Sequence, residues 1–449
     1  MILTFDIGTS SLRTALYHAN GKRVPATLSQ KSYPLLTDSD GRAEIDPATL
    51  LRTARACLRE TLATYRKIPT RKRAPILAVG TSCFWHSLLG LDADGTPLTS
   101  VITWADSRCE RDAEKLRQDE NEKRYHNHSG AMLRTSFWPA KLFWLRRTQG
   151  KLFKKVHTWL SPADFLYTRF CDDWHTSFSM ASGTGLLDRS RKNWSKLWLE
   201  KCHLTPDRLG PISDVPLASS PATIREFPEL KDALWHPAIG DGAANNLGCE
   251  ATDGKTAAIN FGTSAAIRIV QKSKTRKAPK VPFGLFCYLV DSRHWLIGGA
   301  ISNAGNVRAW ARDTLRLPDE KTLEKELKKR AGQATHLHAR PYLVAERAPD
   351  WPENEDSQLG GFHPGTDSIE IFRSLTDATY ERLARIGHLL QDEVSGPFRR
   401  VIVSGGLLRS PYGMQRLKDL LGGTRLQPNE DPEGSLKGAA LFTQRENFK

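Results

Sequence analysis

The chain opens MILTFDIGTSSLRTAL and, in its second half, reads AAINFGTSAAIRIV. Each stretch runs from an apolar, strand-like start into a Gly-Thr-Ser turn and out again into an apolar run. Asp6-Ile7-Gly8-Thr9-Ser10 thus stands against Asn260-Phe261-Gly262-Thr263-Ser264. A turn used twice in matching contexts predicts two halves of related architecture, each opened by a hairpin. Strand and helix signals alternate through both halves, so the expected fold class is α/β, with two domains facing a central cleft. We place the halves at 1–248 and 249–449, a length that suits domains of ~100–200 residues.

The local signals fill in this frame. Residues 1–5 and 12–18 read as strands, with a third in 28–36. Asp46-Pro47 is an N-cap followed by proline at the first helical position. Leu51, Ala54, Leu58, Leu62 and Tyr65 continue it as one buried helical face. ILAVGTSC (76–83) is a buried strand, and Ser161-Pro162-Ala163-Asp164 starts a helix with a capping box. In the second half, strands are expected at 256–261, 266–270, 286–290, 295–299 and 401–406. A helix over 368–391 has Ile371, Leu375, Ala378, Arg382, Ile386 and Leu389 in register. Ser410-Pro411 caps the next helix, Gly422-Gly423 ends it, and the last begins near Glu433.

Several function classes recede. No window approaches the ~18–20 apolar residues of a spanning helix, and Asp6 interrupts any leader-like run at the start. Seven scattered cysteines without a CxxC suit reduced thiols in a cytoplasm, not disulfides or a zinc site. The net charge is +15, with basic clusters at 66–73 and 271–277. Neither cluster is interleaved with aromatics, and no zinc-finger spacing accompanies them, which argues against nucleic acid. A solvated surface that attracts anionic substrates is the simpler reading. Oligomeric state stays open, a homodimer included.

A Gly-Thr-Ser turn supplies close backbone approach, free N–H groups and two hydroxyls, a set that suits phosphate oxygens. Neither copy carries the lysine of a P-loop. Asp6 can hold a hard cation directly or through water, whereas Asn260 adds no second negative charge. Either copy alone is an ordinary strand turn; the pair in matching contexts is what carries the reading.

PAIGDGAANNLG (237–248), taken with DIGTSS, NFGTSAA and VIVSGGLLRS, resembles the FGGY family of carbohydrate kinases. The resemblance spans nearly the whole chain, with the motifs in the family's order. It implies two actin- and hexokinase-like (ribonuclease H-like) domains closing over ATP and a sugar, with Mg²⁺. It makes Asp241 the catalytic base, which would also face the metal together with Asp6. Gly240 and Gly242 beside it would let substrate and backbone come close. Gly8, Thr9, Ser10, Ser11, Gly262, Thr263 and Ser264 would hold phosphate. Asn303, Gly305, Gly405, Gly406, Leu407 and Ser410 would line the nucleotide side. Trp104, Asp106 and Arg108 match the family's W-x-D-x-R segment, and Trp85 and His86 its other sugar contact.

The wording HSLLGLDADGTPL, TWADSR, SMASGTGLLD and GDGAANNLG is most similar to the gluconate kinases of that family. A sugar-acid carboxylate would want an arginine, a lysine or a backbone N–H. The chain also departs from the pattern. Ala345 stands where glycine is usual in PYLVAERAPDW, the Ala-Arg-Gly that normally follows is missing, and Trp138 replaces a small residue. Two alternatives therefore stay open: an FGGY kinase for xylulose, ribulose, a polyol or another aldonate, and a nucleotide-binding regulator without catalysis.

Overall fold

The computed structural model describes residues 1–273, 277–352, 355–429 and 431–444. Part of the basic cluster 271–277 and part of the 341–361 motif therefore lie outside the described residues. Two sheets carry the architecture. In the first, Ile2–Ile7 pairs antiparallel with Ser11–Tyr17 and parallel with Ala78–Cys83. In the second, Thr256–Phe261 pairs antiparallel with Ala265–Lys272 and parallel with Arg400–Gly405. The duplication read from the two turns is thus a duplication of sheet topology. Ile2–Ile7 is buried along its whole length, as a central strand covered on both faces must be.

Caps form where side chains can meet orphan N–H groups. Asp46 accepts from Thr49 N at 2.8 Å and starts the helix Pro47–Arg66. Ser161 and Asp164 close a reciprocal capping box on Pro162–Phe170. Two expectations shift. The strand over 28–36 is only Ser29–Ser32, and Leu36–Thr37 pairs instead with Ala43–Ile45 in a separate sheet. Pro34 lies between them and cannot donate to a ladder. In the long helix Ser368–Leu390 the buried stripe includes Phe372, Leu375, Thr379, Leu383, Ile386 and Leu390. It is rotated from the expected one, because Arg382 lies at the margin, where it donates to Tyr342 Oη at 2.8 Å and Arg347 O at 2.9 Å.

Register explains how distant segments meet. Ile7 and Gly240 both pair with Cys83, so the three form one row across the first sheet. The residues that follow, Gly8, Phe84 and Asp241, leave the same sheet end together. In the second sheet Phe261 pairs with Gly405, and Gly262 and Gly406 leave side by side. Ligands in such sheets bind beyond the carboxyl ends of parallel strands.

The helix Asp241–Gly248 is held by an unusually close neighbour, the final helix Gly434–Phe442. A Cβ at Gly438 would lie 1.7 Å from Ala244 O, and one at Gly248 would lie 1.9 Å from Gly434 O. The final helix also crosses the first sheet, where a Cβ at Gly80 would come within 2.2 Å of Ala439 O. It follows the second sheet in sequence yet packs on the first. Among the described residues no helix is long and apolar enough to cross a membrane, and all seven cysteines are free thiols.

Candidate active site

Asp241 is the first residue of its helix, and its carboxylate accepts from Gly242 N at 2.7 Å. It is open to solvent through the cleft but walled by protein on its other sides. That enclosure pushes its pKa above the ordinary carboxylate range; Arg268 and the Gly242 N–H pull it back, and the nearby Asp6 pushes it up further. The flanking glycines lie against protein side chains. A Cβ at Gly240 would fall 1.8 Å from Trp85 Cε2, and one at Gly242 would fall 3.0 Å from Arg268 Nε. They make room for protein side chains, which then fix the wall beside the base.

Both Gly-Thr-Ser turns are closed by the glycine N–H but differ in length: residues 8–11 lie between the paired Ile7 and Leu12, and only residues 262–264 between Phe261 and Ala265. Gly8 N donates to Ser11 O at 2.9 Å, and Gly262 N to Ser264 O at 2.9 Å. Ser10, Thr263 and Ser264 are exposed, and Thr9 and Ser11 are partly so. Among the described residues, the N–H groups of Thr9 and Ser10 have no partner in the fold. Gly305 N donates to Gly262 O at 3.0 Å, and a Cβ there would sit 2.4 Å from that oxygen. Gly405, at φ +90°, approaches Phe261 O equally closely. Gly262, Gly305, Gly405 and Gly406 therefore meet at one sheet end. Asn303, Leu407 and Ser410 do not present their side chains there. Asn303 is buried and clasps Val344 O at 2.8 Å and Glu346 at 3.1 Å. Leu407 is in the core, and Ser410 binds Glu324 at 2.7 Å while capping Gly413 N.

The expected sugar segment divides in two. Trp85 is buried, held by Ser179 O at 3.0 Å, and forms the wall described above. His86 borders the cleft at φ +68°. Its Nδ1 bonds to Gly183 O, and burial pushes its pKa down to about 3. The ring is therefore neutral with the proton on Nδ1, which leaves Nε2 as an acceptor. Trp104 is partly exposed, and its indole N–H reaches Thr9 Oγ1 at 3.0 Å. Asp106, by contrast, is buried and fully engaged: it accepts from Ala43 N at 3.0 Å and forks with Arg108, whose Nη2 lies at 2.7 Å. Arg108 also pairs with Glu44 and lies 4.5 Å over the Trp144 ring. This pair holds the segment in place rather than opening onto the cleft.

Asp6 is buried and paired with Arg13, with Nε at 3.1 Å, and Arg13 reaches on to Glu433, which stands at the N-cap position of the final helix. Of the two expected metal carboxylates only Asp241 is open to the cleft. Among the described residues no cluster of three or more His, Cys, Asp or Glu could hold a metal. That donor set fits Mg²⁺ carried in on a nucleotide, which keeps water and phosphate ligands and takes one or two protein carboxylates. Surface cavities of about 1110 and 790 Å³ lie elsewhere and include neither turn nor Asp241.

Models of the FGGY family of carbohydrate kinases match both halves, the N-terminal domain over residues 1–216 and the C-terminal domain over residues 257–445. The chain belongs to the FGGY family. It is a carbohydrate kinase with the family's two-domain, actin- and hexokinase-like fold. It is 26% identical to the gluconokinase of Bacillus subtilis over 98% of this chain and 86% of that one. It is 24% identical to the xylulose kinase of Escherichia coli over 99% and 90%. Among solved structures, gluconate kinase from Lactobacillus acidophilus superposes with a TM-score of 0.90 at 26% identity, covering 99% of this chain and 88% of that one. Ligand-bound xylulose kinase from the same organism gives 0.89 at 25%, covering 99% and 89%.

Sequence reasoning gave no site role to three cationic residues, Lys141, Arg268 and Arg347, that the fold places near the residues above. Lys141 is fully buried under His86, donating to His86 O at 3.0 Å and Ser136 O at 2.7 Å. Burial pushes its pKa down to about 8. Arg268 and Arg347 come from the second half. The signal for Arg268 was in plain view: a single arginine interrupts the apolar strand AAIRIV.

The Trp104–Thr9 bond joins the expected sugar segment to the first phosphate turn. Trp104→Phe keeps the ring and loses only this donor. Losing one such bond, worth about 1 kcal/mol net, is expected to lower kcat/KM about fivefold. Steady-state ADP release checks it, and an unchanged kcat/KM would show that the bond does not order the turn.

Proposed function

We propose that this kinase transfers the γ-phosphoryl group of ATP to a primary hydroxyl of D-gluconate, giving 6-phosphogluconate and ADP. The observation that carries the reading is the seating of Asp241. It leaves the first sheet beside the first Gly-Thr-Ser turn and faces the second sheet through Arg268. In this reading Asp241 accepts the hydroxyl proton as the O–P bond forms and the bond to the β-phosphate oxygen breaks. Thr9, Ser10, Ser11, Thr263 and Ser264 hold phosphoryl oxygens through hydroxyls and backbone N–H groups. His86 Nε2 accepts from a substrate hydroxyl. Asp241, with Asp6 behind it, would face Mg²⁺ bound with the nucleotide, which would supply charge neutralisation at the phosphates. Positioning and electrostatics then do most of the work, and closure of the cleft keeps water from competing.

Gluconate is supported by the likeness to the B. subtilis gluconokinase and the L. acidophilus gluconate kinase, and by a chain charge of +15. Xylulose kinases are nearly as similar, so a ketose is the second reading. The free thiols support a reducing, cytoplasmic setting. The test is ADP release from Mg·ATP with gluconate, other aldonates, xylulose, ribulose, glycerol, erythritol and glucose. The largest kcat/KM is expected with gluconate. A larger value with xylulose would keep the mechanism and discard the substrate, and no stimulation by any acceptor would favour a non-catalytic nucleotide binder.

A further inference from the structure

We propose that Arg268 and Arg347 form a carboxylate-reading subsite in the cleft wall, which selects a sugar acid over a neutral sugar. The inference rests on the gluconate reading and extends it to residues for which that reading has no role.

The subsite follows from strand register. Arg268 pairs with Gly298 and Ala266 with Ala300 in neighbouring antiparallel strands. Paired residues, and residues two apart, share a face of the sheet. The Arg268 side chain therefore rises from a floor of two alanines and a glycine, where larger residues would fill the space. Phe286 also pairs with Gly298, which puts Tyr288 on the same face. The Tyr288 ring lies 5.5 Å from that of His86 and 5.1 Å from that of Trp85. One wall thus brings together an arginine, a phenol and a neutral histidine.

Arg268 is set for a partner that the fold itself does not supply. Its Nη1 is buried without a hydrogen bond. Its nearest anion, Asp241, is bonded to Gly242 N and acts on it through space. A buried donor left unmet is costly. Arg347 adds a second cation whose charge reaches Arg268. Its Nε donates to Ser302 Oγ at 3.0 Å and its Nη2 to Ile301 O at 3.1 Å, so its position is fixed. Its charge is felt at Arg268, His86 and Tyr288. Two guanidinium groups that feel each other's charge, one fixed by its bonds and the other with a donor unmet, suit a small planar anion, which the guanidinium fork can bind through two parallel bonds.

Two anions could come there: the carboxylate of the acceptor or the phosphoryl group of ATP. The strand favours the carboxylate. Arg268 lies four residues beyond Ser264, which at ~3.3 Å per residue is some ~13 Å down the strand from the phosphate turn. Its neighbours are the residues expected to face the sugar.

The test compares D-gluconate with its neutral amide, D-gluconamide, as acceptors for wild-type enzyme, Arg268→Met and Arg268→Lys. Wild type is expected to favour gluconate in kcat/KM by about 100-fold, the scale of a lost charge-assisted pair, and mostly through KM. That preference should collapse towards unity in Arg268→Met and return in part in Arg268→Lys, while KM for ATP holds. The wild-type comparison needs no variant, so a misfolded Arg268→Met does not blunt it. A wild-type ratio near unity overturns the proposal. So does a ratio that survives in Arg268→Met, with the gluconate reading left standing. A variant that loses both acceptors equally and raises KM for ATP assigns Arg268 to the phosphoryl group instead. Wild-type turnover of xylulose but of no aldonate overturns both the subsite and the gluconate reading.

Discussion

Asp241→Asn is expected to lower kcat about 10³-fold, within the ~10²–10⁴ typical of a positioned general base. The amide keeps the side chain's shape and its bond to Gly242 N, so KM for ATP should move little. A sugar hydroxyl is a poor nucleophile until a carboxylate takes its proton, and Asp241 is the carboxylate that is open to the cleft. The pH profile gives an independent check. The base works deprotonated, and its pKa is pushed above the ordinary carboxylate range by its enclosure, with Arg268 opposing. Activity should therefore be full above that raised pKa and fall as pH drops through it, at higher pH than a free carboxylate would give. Arg268→Met removes the opposing charge, so its acid limb should move higher still. Wild-type rates in Asp241→Asn would sink the mechanism, and an acid limb at the value of a free carboxylate would sink the account of its environment.

Gly438→Val should be the most damaging change far from the chemistry. The helix that carries Asp241 and the final helix touch backbone to backbone, and the first side-chain carbon at 438 would lie 1.7 Å from Ala244 O. Nothing flexible stands at that contact, so the helices must part. Overpacking of this kind costs about 3 kcal/mol, which for a domain of this size lowers the thermal midpoint by roughly 6–12 °C. Asp241 sits three residues before Ala244 on the displaced helix, so kcat should fall together with stability. Gly150→Ala is the control, since a Cβ there meets nothing within 4 Å. Scanning calorimetry and ADP release on both variants decide the matter. If Gly438→Val melts with wild type, the close approach does not hold the base helix.

The paired turns, the caps at Asp46, Ser161 and Ser410, and the strand 256–261 were legible because each is set by neighbours within a few residues. The same locality explains what only the fold could place. The stripe on Ser368–Leu390 turned because the helix has apolar residues over a broad face, and the sheet beneath it chose which to bury. Asn303, Leu407 and Ser410 stand in motifs that point to the nucleotide, but their side chains are taken up by Val344, the core and Glu324. Asp106 and Arg108 meet each other and Glu44 before any substrate.

The sequence by itself determined the two-fold architecture, the family and the identity of the enclosed carboxylate, because a repeated turn and a Gly-Asp-Gly segment are local patterns. Tertiary structure decided which glycines are indispensable and for what: Gly240 for Trp85, Gly438 for Ala244. It also decided that Asp6 is held by Arg13, that His86 is neutral, and that Arg268 lies close enough to the base to act on its charge. Those facts depend on the register of two sheets and the crossing of two helices. Residues hundreds of positions apart become neighbours only when strand ends align, and burial then sets both their charge and their freedom to bind.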